Sequence, residues 1–312
     1  MNSRMNWFKR ILRALLVSGV LGTFTVLPAW AQTKITIAYT TAADFVPLFV
    51  AKEKGIFDQH KIDANLTRIA LASNVPSAIM SGSVQIGMGT APILLQAAEG
   101  GLGLVAVSGA SRFKKSNSVS AVVVRPDAKI ANAADLRGKK VGVPGLNSMF
   151  DVLFRKWLLN NKVPLNQVTY VETPFPAMKD LLKKGTLDAV LVIEPFRTGL
   201  TADKTGQPIA DFIGEVRDDI LGALYLSTSE WAGKNAQTVR GFRDAYAEAI
   251  QWALANPAEA KTIEAKYLGV AGPVVPSYSV EVSQADLELY ASMSREIGLL
   301  RSPVDLSKLL WK

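Results

Sequence analysis

A two-lobed α/β fold is the architecture this 312-residue chain predicts, and three observations predict it. Strand-like alternation and helix-like spacing take turns along the chain. One block of that pattern recurs 103 to 106 residues later. The length suits two bodies, each able to bury a core of its own. Hydrophobic residues make up 49% and charged residues 20%, a globular balance that excludes a disordered chain. There is no Cys, which removes disulfides, thiol nucleophiles and thiolate-bound metals together. A single His leaves little room for a zinc site or a His-based triad, so neither metal nor cofactor is expected.

Taken in order, the chain opens on an export signal over residues 1–31. Arg4, Lys9, Arg10 and Arg13 precede the apolar stretch Ala14 to Leu27, and Pro28 then leads into Ala29-Trp30-Ala31, a small-x-small cleavage pattern. The stretch is shorter than the roughly 20 apolar residues a membrane span needs. All four charges of this leader are positive, so the net charge of +8 belongs in part to it. The remaining Lys and Arg are scattered rather than gathered in one tract, which argues against a nucleic-acid partner. Without a Cys to carry lipid or a second apolar span, the expected product is a soluble, non-lipidated protein of a Gram-negative periplasm.

Lys34 to Tyr39 alternates as a strand, and Phe45 to Lys54 has helical spacing ended by Gly55. Ile62 to Ile69 is a second strand. Ser73 or Asn74 is placed to cap a short helix with Pro76 in its first turn. Val84 to Gly87 is a strand, Pro92 to Glu99 a helix, and Leu102 to Ser108 a strand. A second pass repeats the scheme: strand Lys140–Val143, helix Met149–Asn160, strand Val168–Glu172, helix Ala177–Lys184, strand Leu187–Ile193. Ile35-Thr36-Ile37 falls on Val141-Gly142-Val143, and the helix–Gly–strand unit around Gly82 falls on that around Gly185. Both glycines sit where a helix end takes a left-handed residue.

Ser118–Val124 and Gly222–Thr228 are expected to cross between the lobes as hinge strands. Lobe 1 is then 32–121 plus 227–312 and lobe 2 is 122–226. The tail returns to lobe 1 with an apolar stripe of Val239, Phe242, Tyr246, Ala249, Ile250 and Ala253. Asn256 is placed to cap the next helix, and Ser283 with Asp286 forms a capping box for the last.

In open α/β sheets ligands sit beyond the carboxyl ends of the strands, which for two facing lobes means one cleft between them. The loops there carry Thr40, Thr41, Ser73, Asn74, Thr90, Ala91, Ser108, Asn147 and Ser148. Two readings stand for these polar residues: they cap helices, or they converge on a ligand at helix N-termini that favour an anion. Phe45, Phe150, Phe196 and Tyr225 supply either cleft walls or lobe core. Glu194, after Leu191-Val192-Ile193, either accepts from a donor group in the cleft or pairs with Arg197. His60 lies in a polar surface stretch. No Gly-x-Ser-x-Gly elbow, phosphate loop or metal-ligand helix occurs, so no catalytic residue is expected.

Four stretches carry a family resemblance. Phe45 to Phe57 is similar to a family's first helix. Ser77 to Gly87 is similar to its A-L-x-x-G-x-x-D-I-G segment, with Gln85 replacing the usual acid. Asp135 to Pro144 is similar to D-L-K-G-K-K-V-G-V, and Gly185 to Phe196 to G-x-x-D-A followed by E-P-F. In that order they resemble the periplasmic solute-binding proteins of ABC importers, in the nitrate/sulfonate/taurine and thiamine-pyrimidine-type group. The resemblance implies a periplasmic-binding-protein fold whose two lobes close on a small solute. It implies delivery to an ABC permease driven by a cytoplasmic ATPase, by a monomer that is not an enzyme. The ligand positions it implies are the Thr40–Thr41 and Ser73–Asn74 loops, Thr90–Ala91, Asn147–Ser148 and Glu194. The solute is expected to be a small organic anion. The alternative is a periplasmic sensor or adaptor for a signalling partner. An enzymatic branch of the family relies on a His and a Cys-rich segment; this chain has no Cys, and its single His60 is in an unsuitable place.

Overall fold

The computed structural model describes residues 32–312, so the expected export leader lies outside the described residues. The first pass of the pattern forms β1 (Thr33–Tyr39), β2 (Ile62–Arg68), β3 (Ile86–Thr90) and β4 (Leu104–Gly109), followed by β5 (Ser111–Lys114). The second forms β6 (Ser120–Val124), β7 (Lys140–Val143), β8 (Thr169–Glu172), β9 (Ala189–Ile193) and β10 (Gln207–Ala210). Then come β11 (Asp219–Leu221), β12 (Ala223–Thr228) and β13 (Ser277–Tyr278). The longer helices are α1 (Val46–Glu53), α2 (Val75–Met80), α3 (Ala91–Glu99), α4 (Met149–Asn160), α5 (Phe175–Lys183) and α6 (Phe196–Ala202), with α7 (Ala236–Ala255), α8 (Pro257–Leu268) and α9 (Gln284–Glu296) in the tail.

Two five-stranded sheets result, in the orders β2-β1-β3-β12-β4 and β8-β7-β9-β6-β10. They agree in both strand order and direction. The first three strands of each are parallel, the fourth antiparallel to its neighbours on both sides. The internal repeat therefore has a structural counterpart: β1 matches β7, and β3 matches β9. Gly82 and Gly185 precede β3 and β9 with φ of 74° and 71°, the left-handed values expected of them. β6 and β9 are buried throughout, as their unbroken Val, Ile and Leu runs require of strands covered on both faces. In β3 the glycines admit a close approach, since a Cβ on Gly87 would lie 2.6 Å from Val75 Cγ1.

The crossing between halves differs from expectation. The strand expected over Ser118–Val124 is β6, wholly within the second sheet, and that over Gly222–Thr228 is β12, wholly within the first. The passages are instead β5 and β11, which pair antiparallel from Arg112 opposite Leu221 to Lys114 opposite Asp219. Arg112 braces them, donating to Asp219 at 2.7 Å and to Asp286 of α9 at 3.0 Å. β13 adds a third strand to this ribbon.

The stripe on α7 packs inward as expected, with Val239, Phe242, Tyr246 and Ala249 fully enclosed. Asn256 does not cap α8: its side chain turns back and donates to Trp252 O of α7 at 2.9 Å. Asn74 likewise makes no capping bond at α2. The Ser283–Asp286 capping box is complete, each side chain accepting from the other's backbone N–H. Ser283→Ala is expected to cost about 1 kcal/mol of stability, read as a lowered urea midpoint. An unchanged midpoint would remove the box from the account.

Candidate ligand cavity between the sheets

The carboxyl ends of the parallel strands in both sheets point at one another, and a cavity of about 40 Å³ lies between them. From the first sheet it takes Thr40, Ala42, Asp44 and Phe45 after β1, Ala70 and Ala72 after β2, and Met88 and Thr90 of β3. From the second it takes Pro144, Ser148, Met149 and Phe150 after β7, and Phe175 after β8; Ala223 opens β12. The walls are mostly apolar. Phe150 meets Phe113, Phe175 and Phe212 at centroid distances of 6.0, 5.6 and 6.2 Å.

Five of the expected ligand residues, Thr40, Phe45, Thr90, Ser148 and Phe150, line this space together. For Thr40, Thr90 and Ser148 a plain capping role is the other reading, and for the last two the geometry excludes it. Thr90 precedes α3 and Ser148 precedes α4, yet neither side chain bonds its helix. Ser148 Oγ donates to Gly145 O at 2.6 Å. Thr90 Oγ1 is buried without a partner, an uncommon state for a hydroxyl.

The other expected residues lie elsewhere. Thr41 and Ala91 are buried beside the cavity without lining it. Ser73 and Asn147 line a separate groove of about 240 Å³, spanned by a bond from Gln96 Nε2 to Asn147 O at 3.1 Å. Asn74 is exposed. Ser108 Oγ is taken by Gly109 O at 2.8 Å. Phe196 is one layer back, stacked on Phe175 at 5.5 Å and 7°. Tyr225 has no exposed surface and sits among Phe45, Phe242 and Tyr246. Ala223, level with Thr90, lines the cavity, whereas Tyr225, two residues on and level with Met88, has its ring covered by those three side chains.

Of the two readings of Glu194, the pairing with Arg197 is overturned: that guanidinium donates to Ser118 O. The Glu194 carboxylate instead accepts from Thr198, from Oγ1 at 3.0 Å and from the backbone N–H at 3.2 Å. Across from it stands Glu264 of α8, which accepts from Gly272 N at 3.3 Å. A Cβ on Gly272 would lie 3.3 Å from Glu194 Cβ, so this loop holds the two acids close. Burial pushes the Glu264 carboxyl up to about 7, Glu194 adding to the rise.

Asp44, to which the sequence pattern assigns no role, is among the described residues the one charged group on the cavity wall. It is 4% exposed, with Oδ1 accepting from Ser111 Oγ and its own carbonyl accepting from Tyr246 Oη at 3.1 Å. Burial raises its carboxyl to about 6, and the Ser111 bond restrains the rise. Phe175 also lies outside the expected set, though the strand-end rule applied to β8 points to its loop. His60 lies against Glu248, 3.0 Å away. Among the described residues no cluster of three or more His, Cys, Asp or Glu is placed to hold a metal ion. No described helix is long and apolar enough to cross a membrane.

The model of the NMT1/THI5-like family matches residues 42–260. A putative thiamine biosynthesis protein of Haemophilus influenzae is 28% identical, covering 78% of this chain and 76% of that protein. The nitrate/nitrite binding protein NrtA of Nostoc is 25% identical over 72% of this chain, which spans only 55% of that relative's length. Among solved structures, the alkanesulfonate-binding protein SsuA of Xanthomonas axonopodis pv. citri, bound to MOPS, superposes with a TM-score of 0.78 at 19% identity. It covers 89% of this chain and 98% of its own.

Proposed function

Because the chain belongs to the NMT1/THI5-like family, we propose that it captures a small organic solute between its two sheets for an ABC-type importer. The observation that carries this reading is the cavity to which both sheets present their strand ends. Relatives named for binding nitrate, nitrite and alkanesulfonates support the class of function, and each name belongs to that relative. The lobes are residues 32–114 with 222–312, and 115–221, divided at β5 and β11 rather than inside β6 and β12. Those paired segments are the hinge.

The cavity as it stands admits little more than water, whereas small-molecule pockets run to roughly 300–1,000 Å³. A solute therefore enters an opened cleft and is enclosed as the lobes shut, its contacts to both lobes favouring the shut state. Export through the leader, a periplasmic location, a monomeric state and a permease with its ATPase complete the proposal. Ser73 and Asn147 stand at the cleft mouth in it.

Residues 32–312, screened by thermal shift against sulfonates, carboxylates, amines and pyrimidines, are expected to yield a ligand that binds one per chain by calorimetry. Solution scattering is expected to show a smaller radius of gyration with that ligand bound. An unchanged radius would count against the closing clamp, and the absence of any ligand against capture itself. Loss of uptake of that solute in a cell lacking the chain separates import from sensing.

A further inference from the structure

We propose that Glu194 and Glu264 form a proton-controlled latch between the lobes, shut while one of them holds a proton and released when both are ionised. The inference rests on the reading of the chain as two lobes that open and shut, and adds what biases that motion without a solute. With the division at β5 and β11, Glu194 belongs to one lobe and Glu264, on α8, to the other. The stretch between α8 and β13 joins them. Its Gly272 N donates to Glu264 Oε1 at 3.3 Å, and a Cβ on Gly272 would lie 3.3 Å from Glu194 Cβ. Its Val275 O accepts from Asn117 Nδ2 at 2.9 Å, a further tie to the lobe of Glu194.

Both acids are enclosed, at 2% and 6% exposure, and among the described residues neither has an ion pair. Glu194 is bonded to Thr198. Lys261, one turn before Glu264 and the one base that acts on it, donates instead to Pro273 O at 3.4 Å. The other charges on and around α8 are engaged elsewhere. Lys266 and Tyr267 donate to Glu53 of α1, Lys54 to Glu259, and Glu248 of α7 lies against His60. From β13 comes Tyr278, a phenol that burial keeps protonated and that donates to Ala43 O. Two carboxylates brought together out of water are costly to ionise together, so the contact favours a bound proton. Burial, with Glu194 adding to it, accordingly pushes Glu264 up to about 7. The sign follows. Below that value the contact is intact; above it two like charges face each other, and parting the lobes returns both to water. The same lobes also meet in an attractive contact, where Lys156 of α4 donates to both oxygens of Glu296 of α9 at 2.7 and 2.8 Å.

The test uses residues 32–312 without solute. The chain has no Cys, so Asn166→Cys and Gln251→Cys, one exposed position in each lobe, take a dye pair and nothing else does. Single-molecule energy transfer then reads the ratio of open to shut chains. From pH 5.5 to 8.5 that ratio is expected to rise about tenfold or more. Glu264→Gln is expected to remove the rise, and Glu194→Gln gives the same reading if Glu264→Gln does not fold. Lys156→Ala, which removes the attractive contact, is expected to raise the ratio at both pH values. A response to Lys156→Ala with none to pH would overturn the latch and leave the moving lobes standing. A response to neither would overturn the opening motion as well. A pH response that persists in both Gln variants would take the switch away from this pair.

Discussion

Phe150→Ala is expected to lower folding stability by about 3 kcal/mol, the low end for removing a buried phenyl ring, and to weaken solute binding at least tenfold. The ring is 9% exposed and stands where three others converge. Phe113 comes from the crossing ribbon, Phe175 from α5, and Phe212 from the short helix Phe212–Val216 that precedes β11. Truncation leaves a hole beside an existing cavity, and α4, held by its own packing, cannot collapse to fill it. The loss should stay nearer the low end because one side of the ring already faces empty space. Urea denaturation measures the first effect and calorimetry with the ligand found by screening the second. A stability loss under about 1 kcal/mol would mean that the four-ring cluster contributes little to the fold.

Stability should also fall as pH rises from about 4 to 7, the reverse of what paired surface carboxylates produce. Asp44 has a folded value of about 6 against 3.8 for the free group, and Glu264 about 7 against 4.5. In both cases burial holds the proton on in the folded state. A raised value means that stabilisation is complete below the unfolded value and is lost as pH climbs through the folded one. The window therefore runs from about pH 4 to about pH 7. For Asp44 the rise corresponds to about 3 kcal/mol at most. The surroundings of Asp44 explain why little offsets this: Ser111, Tyr225 and Tyr246 are neutral neighbours. On the acid side, bonds from Lys266 and Tyr267 hold Glu53 below its usual range. Lys179 holds Asp203 at about 2, so stability should decline again below pH 4. Melting temperatures across pH 3 to 8 should thus peak near pH 4. Asp44→Asn is expected to flatten the alkaline limb, and a limb that keeps its slope in that variant would assign it to other groups.

The elements were legible where the pattern was long. β1, β7, α4 and α7 follow from alternation or helical spacing over at least four residues, and β7 and α4 have the expected ends. The crossing ribbon was not legible, because Ser111–Lys114 and Asp219–Leu221 are too short and too charged to show a period. The two stronger strand patterns nearby, β6 and β12, draw the expected crossing to themselves. At the site, the rule that ligands gather at strand ends located Thr40, Thr90, Ser148 and Phe150. It could not say how deep a residue sits. Tyr225 lies two residues below the level of Thr90, which depends on pairing between strands far apart in the chain. Asp44 has the pattern of an ordinary acid at a helix start, and only the enclosing fold removes it from water.

The strand order carries a consequence for how the molecule is made. Every strand of the second sheet lies between Ser120 and Ala210, so that half is complete once its own stretch has emerged. The first sheet has to wait. Its fourth member, β12, lies between β3 and β4, yet is synthesised after the entire other half. Until Ala223–Thr228 arrives, β3 and β4 have nothing between them and keep open edges. The half that begins first is thus assembled last, and closing its gap brings together segments more than a hundred residues apart, a slow step in any chain.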